Sequence, residues 1–336
     1  MRQPSAALDS RHFPRTSLRD KNRTVHIPDG FLSAPVAAAT WAGGAASLAW
    51  ALHAEKSEGD PAPAPTLGAL AAFVFASQLV NLPVMPGTSG HLVGGTLAAA
   101  LVGPWRGLMV MAAVLAVQSL MFQDGGVTAY GANLLAMGGA GGVCGFAVAA
   151  LAARLVPGVR GLVAGPVIGA FAGTLCGAAF IALALAASGL YPAPVVLPVM
   201  LSVHVPIALV EAALTGTVLA TVVRWRPDIV RGLQSGRAGR APVLGLLVLA
   251  LAVAGFVAPL ASPLPDALGS VAARLGFADA ARAPWPAPWP DYTLQWLGDG
   301  RAGTAVAGVV GTLAAAGLAW ALTRRLGAAP GDGPHA

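Results

Sequence analysis

Charged residues are scarce in this chain. Asp, Glu, Lys and Arg together make up 10% of its 336 residues, whereas hydrophobic residues make up 56% and the mean hydropathy is +0.70. Long stretches therefore carry no charge at all. This composition is typical of a protein that crosses a membrane several times and excludes an ordinary soluble domain.

Cysteine and lysine are also rare. Cys144 and Cys176 lie in apolar segments without the spacing of a metal site or a disulfide framework, so both are predicted to be small buried residues. Neither Lys21 nor Lys56 follows a glycine-rich loop, and the glycine-rich run 138–142 lacks the Gly-Lys-Ser/Thr of a P-loop. The chain is therefore predicted to hydrolyse no ATP itself and not to be an enzyme.

The apolar segments predict an all-α fold, a polytopic membrane helix bundle of about seven helices with two more in a C-terminal module. A spanning helix needs about 20 mainly apolar residues. Nine segments approach this requirement: 34–53, 66–84, 90–104, 107–123, 131–153, 161–187, 198–223, 243–261 and 303–322. The third is short and predicts a tilted or partly re-entrant element. Glycine at every fourth position from Gly161 to Gly177 predicts close helix packing.

The positions of the arginines predict the orientation. Loops on the cytoplasmic side of a membrane retain Lys and Arg, and the densest positive stretch, 224–240, holds five arginines and one aspartate. Counting seven spans back from this loop places the segment before the first helix outside. Counting forward places the C-terminus in the cytoplasm, and the predicted location is the bacterial plasma membrane.

Residues 1–24 conflict with this orientation. They carry six positive and two negative charges, which would have to cross to the outside, and they have no apolar core that would make a signal peptide. Two interpretations remain. The stretch is a basic tail that is exported, or the mature chain starts at Val25, since a valine codon can start a bacterial gene and is then read as methionine. We favour the second interpretation.

A start at Val25 would place a terminal amine beside His26. The amine, the ionised amide nitrogen of His26 and its ring Nδ1 would form two fused chelate rings, and one more imidazole would complete a square plane of nitrogens. Such coordination suits Ni(II) or Cu(II), and a similar site can hold Co(II). His91 is the predicted fourth ligand.

Polar residues inside a membrane protein are costly and are candidates for function. On spacing alone, His26 and His91 are more often hydrogen-bonded residues at the membrane interface than ligands. His204 and Glu211 lie seven apart on one helix face, which favours a hydrogen-bonded pair over a second metal site. Asn133 indicates an interhelical contact or a place on the metal route. The residues predicted to surround the ligands or line a route are Ser89, Asn133, His204 and Glu211.

Four stretches carry a family resemblance. The sequences HIPDGFLSAPV, NLPVMPGTSGHLVGGTLAAALVGPW, FQDGGVTAYGAN and MLSVHVPIALVEAALT, in this order, resemble the CbiM/NikM family over residues 26–228. These proteins are the substrate-specific components of energy-coupling-factor (ECF) transporters for cobalt or nickel. In the family the chain begins Met-His, and the terminal amine, the amide and imidazole of that His and the imidazole of Ser-Gly-His hold the metal. The resemblance implies Val25, His26 and His91 as ligands.

The rest of the chain resembles the accessory module of NikN-type or PDGLE-type proteins, with the name-giving motif altered to Pro265-Asp266-Ala267-Leu268. The predicted domains are a basic extension absent from the mature chain (1–24), a metal-binding membrane domain (25–228), a cytoplasmic Arg-rich linker (229–242), an accessory module with two helices (243–325) and a disordered tail (326–336).

The resemblance implies import of Co(2+) or Ni(2+) as the transported substrate. The implied partners are a CbiQ/NikQ-like transmembrane coupling subunit and CbiO/NikO-like ATPases, besides membrane lipid. No nucleic acid is expected, because most of the net charge of +6 lies in residues 1–24. The alternative is a stand-alone metal channel or secondary transporter. It would use intramembrane carboxylates, for which Glu211 is the prominent candidate.

Overall fold

The computed structural model describes residues 26–57, 64–156, 158–225, 240–284, 286–297 and 300–327. Val25, the extension 1–24, most of the predicted linker and the last nine residues lie outside this part of the chain.

Helices dominate the described residues. In chain order they are α1 (Ala34–Ser57), α2 (Ala64–Gln78), α3 (Gly95–Val102), α4 (Pro104–Met121), α5 (Tyr130–Leu155), α6 (Val159–Ala187), α7 (Ala193–Trp225), α8 (Arg240–Leu260), α9 (Ala267–Leu275) and α10 (Arg301–Gly327). Helix α5 contains a π-helical stretch at Leu135–Cys144, and α8 ends in a π turn and a 3-10 turn. The all-α prediction is confirmed.

Six of the described helices, α4 to α8 and α10, are long and apolar enough to cross a membrane. Each has at least 18 residues, which at 1.5 Å per residue covers most of the hydrocarbon layer. Helix α2 is equally apolar but has 15 residues, nearly all buried inside the protein. The chain is therefore a multi-pass membrane protein.

The second apolar segment ends earlier than predicted. Helix α2 stops at Gln78 instead of continuing to residue 84, and a two-stranded antiparallel hairpin follows, with β1 at Leu82–Met85 and β2 at Thr88–Gly90. Pro83 and Pro86 offer no N–H to a helix, and Gly87 takes a φ of +74° in the turn. The third predicted segment is correspondingly reduced to α3, with 8 residues.

The predicted glycine packing is confirmed. The glycine face of α6 lies against α5, so that a Cβ at Gly169 would come 2.3 Å from the carbonyl oxygen of Gly145. Backbones in such close contact associate through van der Waals packing where no hydrophobic effect operates. The prediction that Cys144 and Cys176 are buried is wrong, because both thiols are exposed on the outer surface of these helices. In a membrane protein an apolar residue need not face the core.

The two long C-terminal helices pack on α2, and their side chains join the main core cluster that α2 and α4 form. A Cβ at Gly68 of α2 would lie 2.9 Å from the carbonyl oxygen of Ala316 in α10. Helix α9 and the segments 276–284 and 286–297 lie at the end of the bundle where the hairpin and the loops 26–33 and 122–129 also gather. The C-terminal helices thus complete the bundle and do not form a separate body.

Candidate functional site

The segment that begins at His26 is buried between helices. Ile27 donates its N–H to Asn133 Oδ1 at 2.9 Å, and Asn133 Nδ2 donates back to the Ile27 carbonyl at 3.1 Å. The Gly126 N–H also donates to this carbonyl, at 2.8 Å. Buried backbone groups need such partners, and here one side chain supplies two of them. Asn133 of α5 therefore contacts the non-helical segment at His26 and not a second helix, and it fixes the residue next to His26.

Asp29 locks the turn that follows. Its carboxylate accepts hydrogen bonds from the N–H groups of Val127 and Thr128, at 3.2 and 2.7 Å. Gly30 has a φ of +92°, and a Cβ there would lie 2.3 Å from the carbonyl oxygen of Ala280 in the C-terminal module. Glycine is thus required at this turn for both reasons.

His26 and His91 face each other. Their ring centroids are 6.1 Å apart and their planes differ by 17°. His91 Nδ1 lies 2.9 Å from the carbonyl oxygen of Leu92, so Nδ1 must carry the proton and Nε2 keeps its lone pair. Burial, and secondarily the nearby His26, lower the pKa of His91 to about 4. The His91 ring is therefore neutral at pH 7, as a metal ligand must be.

A third histidine, His204, lies beside His26 and His91. His204 of α7 donates from Nδ1 to the Met200 carbonyl at 2.8 Å, which likewise leaves Nε2 with a lone pair. His26, His91 and His204 all line one cavity of about 70 Å³, together with Asn133 and Asp266. Small residues of α5 and α6 form another part of its wall: Gly141, Gly173, Thr174, Gly177 and Ala178.

Glu211 holds the loop that carries His91. Its carboxylate accepts from the N–H of Val93 at 2.7 Å and from the N–H of Gly94 at 2.9 Å. The hydrogen-bonded pair predicted between His204 and Glu211 is not formed among the described residues, because each side chain is committed to a backbone group. His204 and Glu211 are two helical turns apart, so each side chain can bond to its own backbone partner. Glu211 does not line the cavity.

The C-terminal module reaches the cavity through its altered motif. Ser89 donates its N–H to the Pro265 carbonyl and its hydroxyl to the Leu264 carbonyl, both at 2.8 Å. Asp266 follows and caps α9 by accepting from the Gly269 N–H at 2.6 Å. Burial raises the pKa of Asp266 to about 7, and this hydrogen bond opposes the rise. Ser89 therefore docks the module and does not line the cavity, whereas Asp266 does.

The ring of His26 makes a further contact that its position in the sequence did not indicate. Nδ1 lies 3.3 Å from Asp124 Oδ1, while Nε2 is buried without a hydrogen-bond partner. Among the described residues, no three His, Cys, Asp or Glu side chains are arranged to hold a metal ion by themselves.

Comparison with known proteins identifies both parts of the chain. Residues 26–229 match the family model described as the CbiM cobalt uptake substrate-specific transmembrane region, and residues 240–327 match the PDGLE domain. The chain is 34% identical to a putative fused nickel transport protein NikMN of Archaeoglobus fulgidus, over 89% of this chain and 98% of that one. It is 32% identical to the fused nickel transport protein NikMN of Rhodobacter capsulatus, over 90% of this chain and 100% of that one.

Two further comparisons concern the first part of the chain. A cobalt transport protein CbiM of Sorangium cellulosum is 34% identical, over 56% of this chain and 86% of that one. A crystal structure of a truncated transition metal transporter superposes with a TM-score of 0.54 at 29% identity, covering 59% of this chain and 98% of that one. The chain therefore belongs to the CbiM/NikM family of substrate-specific transmembrane proteins for cobalt or nickel uptake, fused to a PDGLE-type, NikN-like module.

Proposed function

We propose that this protein captures Co(2+) or Ni(2+) outside the bacterial plasma membrane for an ECF-type importer. The metal is held in a square plane of nitrogens, given by the terminal amine of residue 25, the amide and imidazole of His26 and the imidazole of His91. The observation that carries the proposal is the pair of facing, buried rings of His26 and His91 in one small cavity.

The donor set supports this chelate. Two imidazoles with a free lone pair face the cavity, and the other two donors of the plane are nitrogens of the main chain. Coordination by Nδ1 of His26 requires its ring to turn about the Cβ–Cγ bond, because Nδ1 now lies against Asp124. Val25 lies outside the described residues, so the amine donor rests on a chain start at residue 25.

Other cavity residues take supporting roles in the proposal. Asn133 and Glu211 hold the backbone beside each histidine ligand, and Ser89 docks the C-terminal module next to His91. His204, with Nε2 free in the cavity, offers the metal its next nitrogen on the route toward the cytoplasm. The small residues of α5 and α6 line the same cavity as the three histidines and leave it room for an ion.

The arginines support the proposed orientation, with the C-terminus in the cytoplasm. The chain enters or leaves each of the six apolar helices through an arginine at the end opposite to the cavity: Arg106, Arg154, Arg160, Arg224, Arg240 and Arg324. Such an excess of positive charge marks the cytoplasmic side. The cavity would then face outward, where a substrate is captured.

Transport would need partners, because the chain has no P-loop lysine of its own. We assign the energy to a CbiQ/NikQ-like coupling subunit and CbiO/NikO-like ATPases. Stand-alone secondary transport is less well supported, because the buried Glu211 carboxylate is already engaged by two N–H groups. The proposed division is a metal-binding domain (25–228) and an accessory module (243–325), joined by a cytoplasmic linker.

The first test is mass analysis of the protein expressed from its own gene, followed by nickel and cobalt titration. We expect a chain starting at residue 25 that binds one metal ion. His26→Ala or His91→Ala should abolish binding, whereas His53→Ala, at the arginine end of α1, should not. A chain that keeps residues 1–24 and still binds metal would exclude the terminal amine as a ligand.

Uptake into cells completes the test. Metal should accumulate only when the coupling subunit and the ATPases are produced with this chain. Accumulation by the chain alone would overturn the ECF assignment and favour a stand-alone transporter.

A further inference from the structure

The C-terminal module is bonded along the hairpin that leads to His91. The Ser262 N–H of the module donates to the Asn81 carbonyl, just before β1, at 2.8 Å. The Ser270 hydroxyl donates to the Gly87 carbonyl, in the turn between the two strands, at 3.2 Å. Together with the bonds from β2 to the module described above, these contacts fix this part of the module relative to His91.

The same contacts hold the carboxylate of Asp266 in the wall of the cavity. Asp266 is only 7% exposed and lines the cavity together with His26 and His91. Its Oδ1 accepts from the Gly269 N–H. A carboxylate has about four lone-pair positions, so this single bond leaves it further capacity to accept a hydrogen bond or to bind a cation.

The rest of the cavity wall offers this carboxylate no fixed cation. Among the described residues that line the cavity, Asp266 is the only acidic one, and none is a lysine or an arginine. A buried carboxylate is costly unless a positive charge balances it. The wall thus provides one half of an ion pair, and a metal ion in the cavity can provide the other.

The proposed chelate needs a negative charge of this kind. A divalent ion brings two positive charges, and the ionised amide nitrogen of His26 neutralises one of them, since the amine and both imidazoles are neutral. The complex therefore keeps one positive charge inside a small cavity, where charges interact more strongly than in bulk water. The carboxylate of Asp266 carries the matching charge.

We propose that Asp266 of the C-terminal module is a further binding residue for the metal ion, whose charge its carboxylate balances in the cavity. The inference rests on the proposed function, in which the chelate at His26 and His91 keeps one positive charge. It gives the fused module a defined task, because the described residues of the metal-binding domain place no carboxylate in the cavity wall. Docking of the module and binding of the metal then favour each other to the same degree.

The test is Asp266→Asn in the full chain. Asparagine keeps the size of the side chain and an oxygen for the Gly269 N–H, so the cap of α9 remains while the charge is lost. We expect the nickel affinity to fall by about 10-fold, as when a group that supports a metal site is removed. Asp279→Asn is the matched control, because Asp279 is an exposed aspartate of the same module and does not line the cavity. Its nickel affinity should equal that of the wild type.

A second variant and a stability measurement separate the charge from the helix cap. Asp266→Ser also caps a helix but carries no charge, so it should lose nickel affinity as Asp266→Asn does. Without metal, both variants should unfold at no lower temperature than the wild type, since a buried charge is removed, and nickel should raise that temperature less. A lower unfolding temperature without metal would show that Asp266 acts on the structure and would overturn the proposal.

The failure of this inference differs from the failure of the proposed function. A wild-type nickel affinity for Asp266→Asn, with binding abolished by His26→Ala, would reject the charge-balancing role and leave the proposed function intact. Normal binding by both His26→Ala and His91→Ala would reject the proposed function and the inference with it.

A measurement on the unaltered protein covers the case in which a variant does not fold. Nickel should slow hydrogen exchange at the Ser262 amide, which is bonded to Asn81, because a carboxylate engaged by the metal holds the module in its docked position. Exchange that is the same with and without nickel would exclude the coupling between the metal and the module.

Discussion

One amide side chain, that of Asn133, fixes the residue beside the proposed ligand His26. It makes both a donor and an acceptor bond to the main chain of Ile27, and it is buried in the wall of the cavity. A terminal chelate is useful only if the terminus is held in one position, because an ordered site avoids the entropic cost of fixing the segment when metal binds.

Asn133→Ala should therefore weaken nickel binding by about 10-fold without abolishing it, since the ligands remain but the segment that carries them is released. Calorimetric titration of the purified variant measures the change. Asn81→Ala serves as the control, because Asn81 Oδ1 is buried without a hydrogen-bond partner and its loss releases nothing. Equal affinities for Asn133→Ala and the wild type would show that the hydrogen bonds between Asn133 and Ile27 do not affect metal binding.

The sequence predicts some residues of the site and not others, for a physical reason. His26, His91 and Asn133 stand in stretches with recognisable spacing, so they could be identified as candidates. Tyr292, which donates its hydroxyl to Asp124 Oδ2, lies 168 positions from Asp124 along the chain. Only the course of segment 289–292 past α4 brings the two together, and that course depends on strained dihedral angles that no local pattern indicates.

At the scale of elements, the contact between α5 and α6 is set by the absence of side chains. Gly169 lies so close to α5 that a Cβ there would come 2.3 Å from the Gly145 carbonyl oxygen and 2.7 Å from the Ala149 Cβ. Gly173 and Gly177 on the same face also line the cavity, so the helix spacing determines the room below the histidines.

Gly169→Ala should consequently lower the free energy of unfolding by about 1–3 kcal/mol, because the added methyl group must push the two helices apart. Thermal unfolding in detergent measures the loss. A Cβ at Gly245 in α8 would meet no atom of another element within 4 Å, so Gly245→Ala should be neutral or slightly stabilising. A Gly169→Ala protein as stable as the wild type would mean that the helices can separate at no cost.

Hydropathy predicts the long helices well, because contact with lipid is what determines their sequence. Helices α4 to α8 and α10 follow the apolar segments closely, because a chain in lipid must satisfy its backbone within each helix. The prediction was wrong at residues 79–84 and 90–94, where α2 ends early, a hairpin follows and α3 begins late. It also missed α9, a short helix capped by Asp266. These elements lie against other protein and near the cavity, where hydropathy carries little information about backbone shape.

At the scale of the whole molecule, the fused module is an integral part of the bundle. Helices α8 and α10 pack on the short helix α2, while residues between them contact Ser89, Asp29 and Asp124, which lie close in sequence or space to the cavity histidines His26 and His91. A domain joined only by a linker can move away from the site. This module is held in place by its helices, which raises its effective concentration at the site. These contacts lie at the end of the helices where the hairpin and the segment at His26 gather, so the orientation of the chain in the membrane decides from which side a metal ion reaches the cavity.

The orientation can be measured with single cysteines in a protein that lacks Cys144 and Cys176. Ala283→Cys lies in the exposed segment at the cavity end, and Arg160→Cys lies at the arginine end of α6. A thiol reagent that cannot cross membranes should label Ala283→Cys in intact cells, because the positively charged ends of the helices are retained in the cytoplasm. Arg160→Cys should react only after the cells are opened. The reverse pattern would place the cavity inside, which is incompatible with capture of an external metal ion.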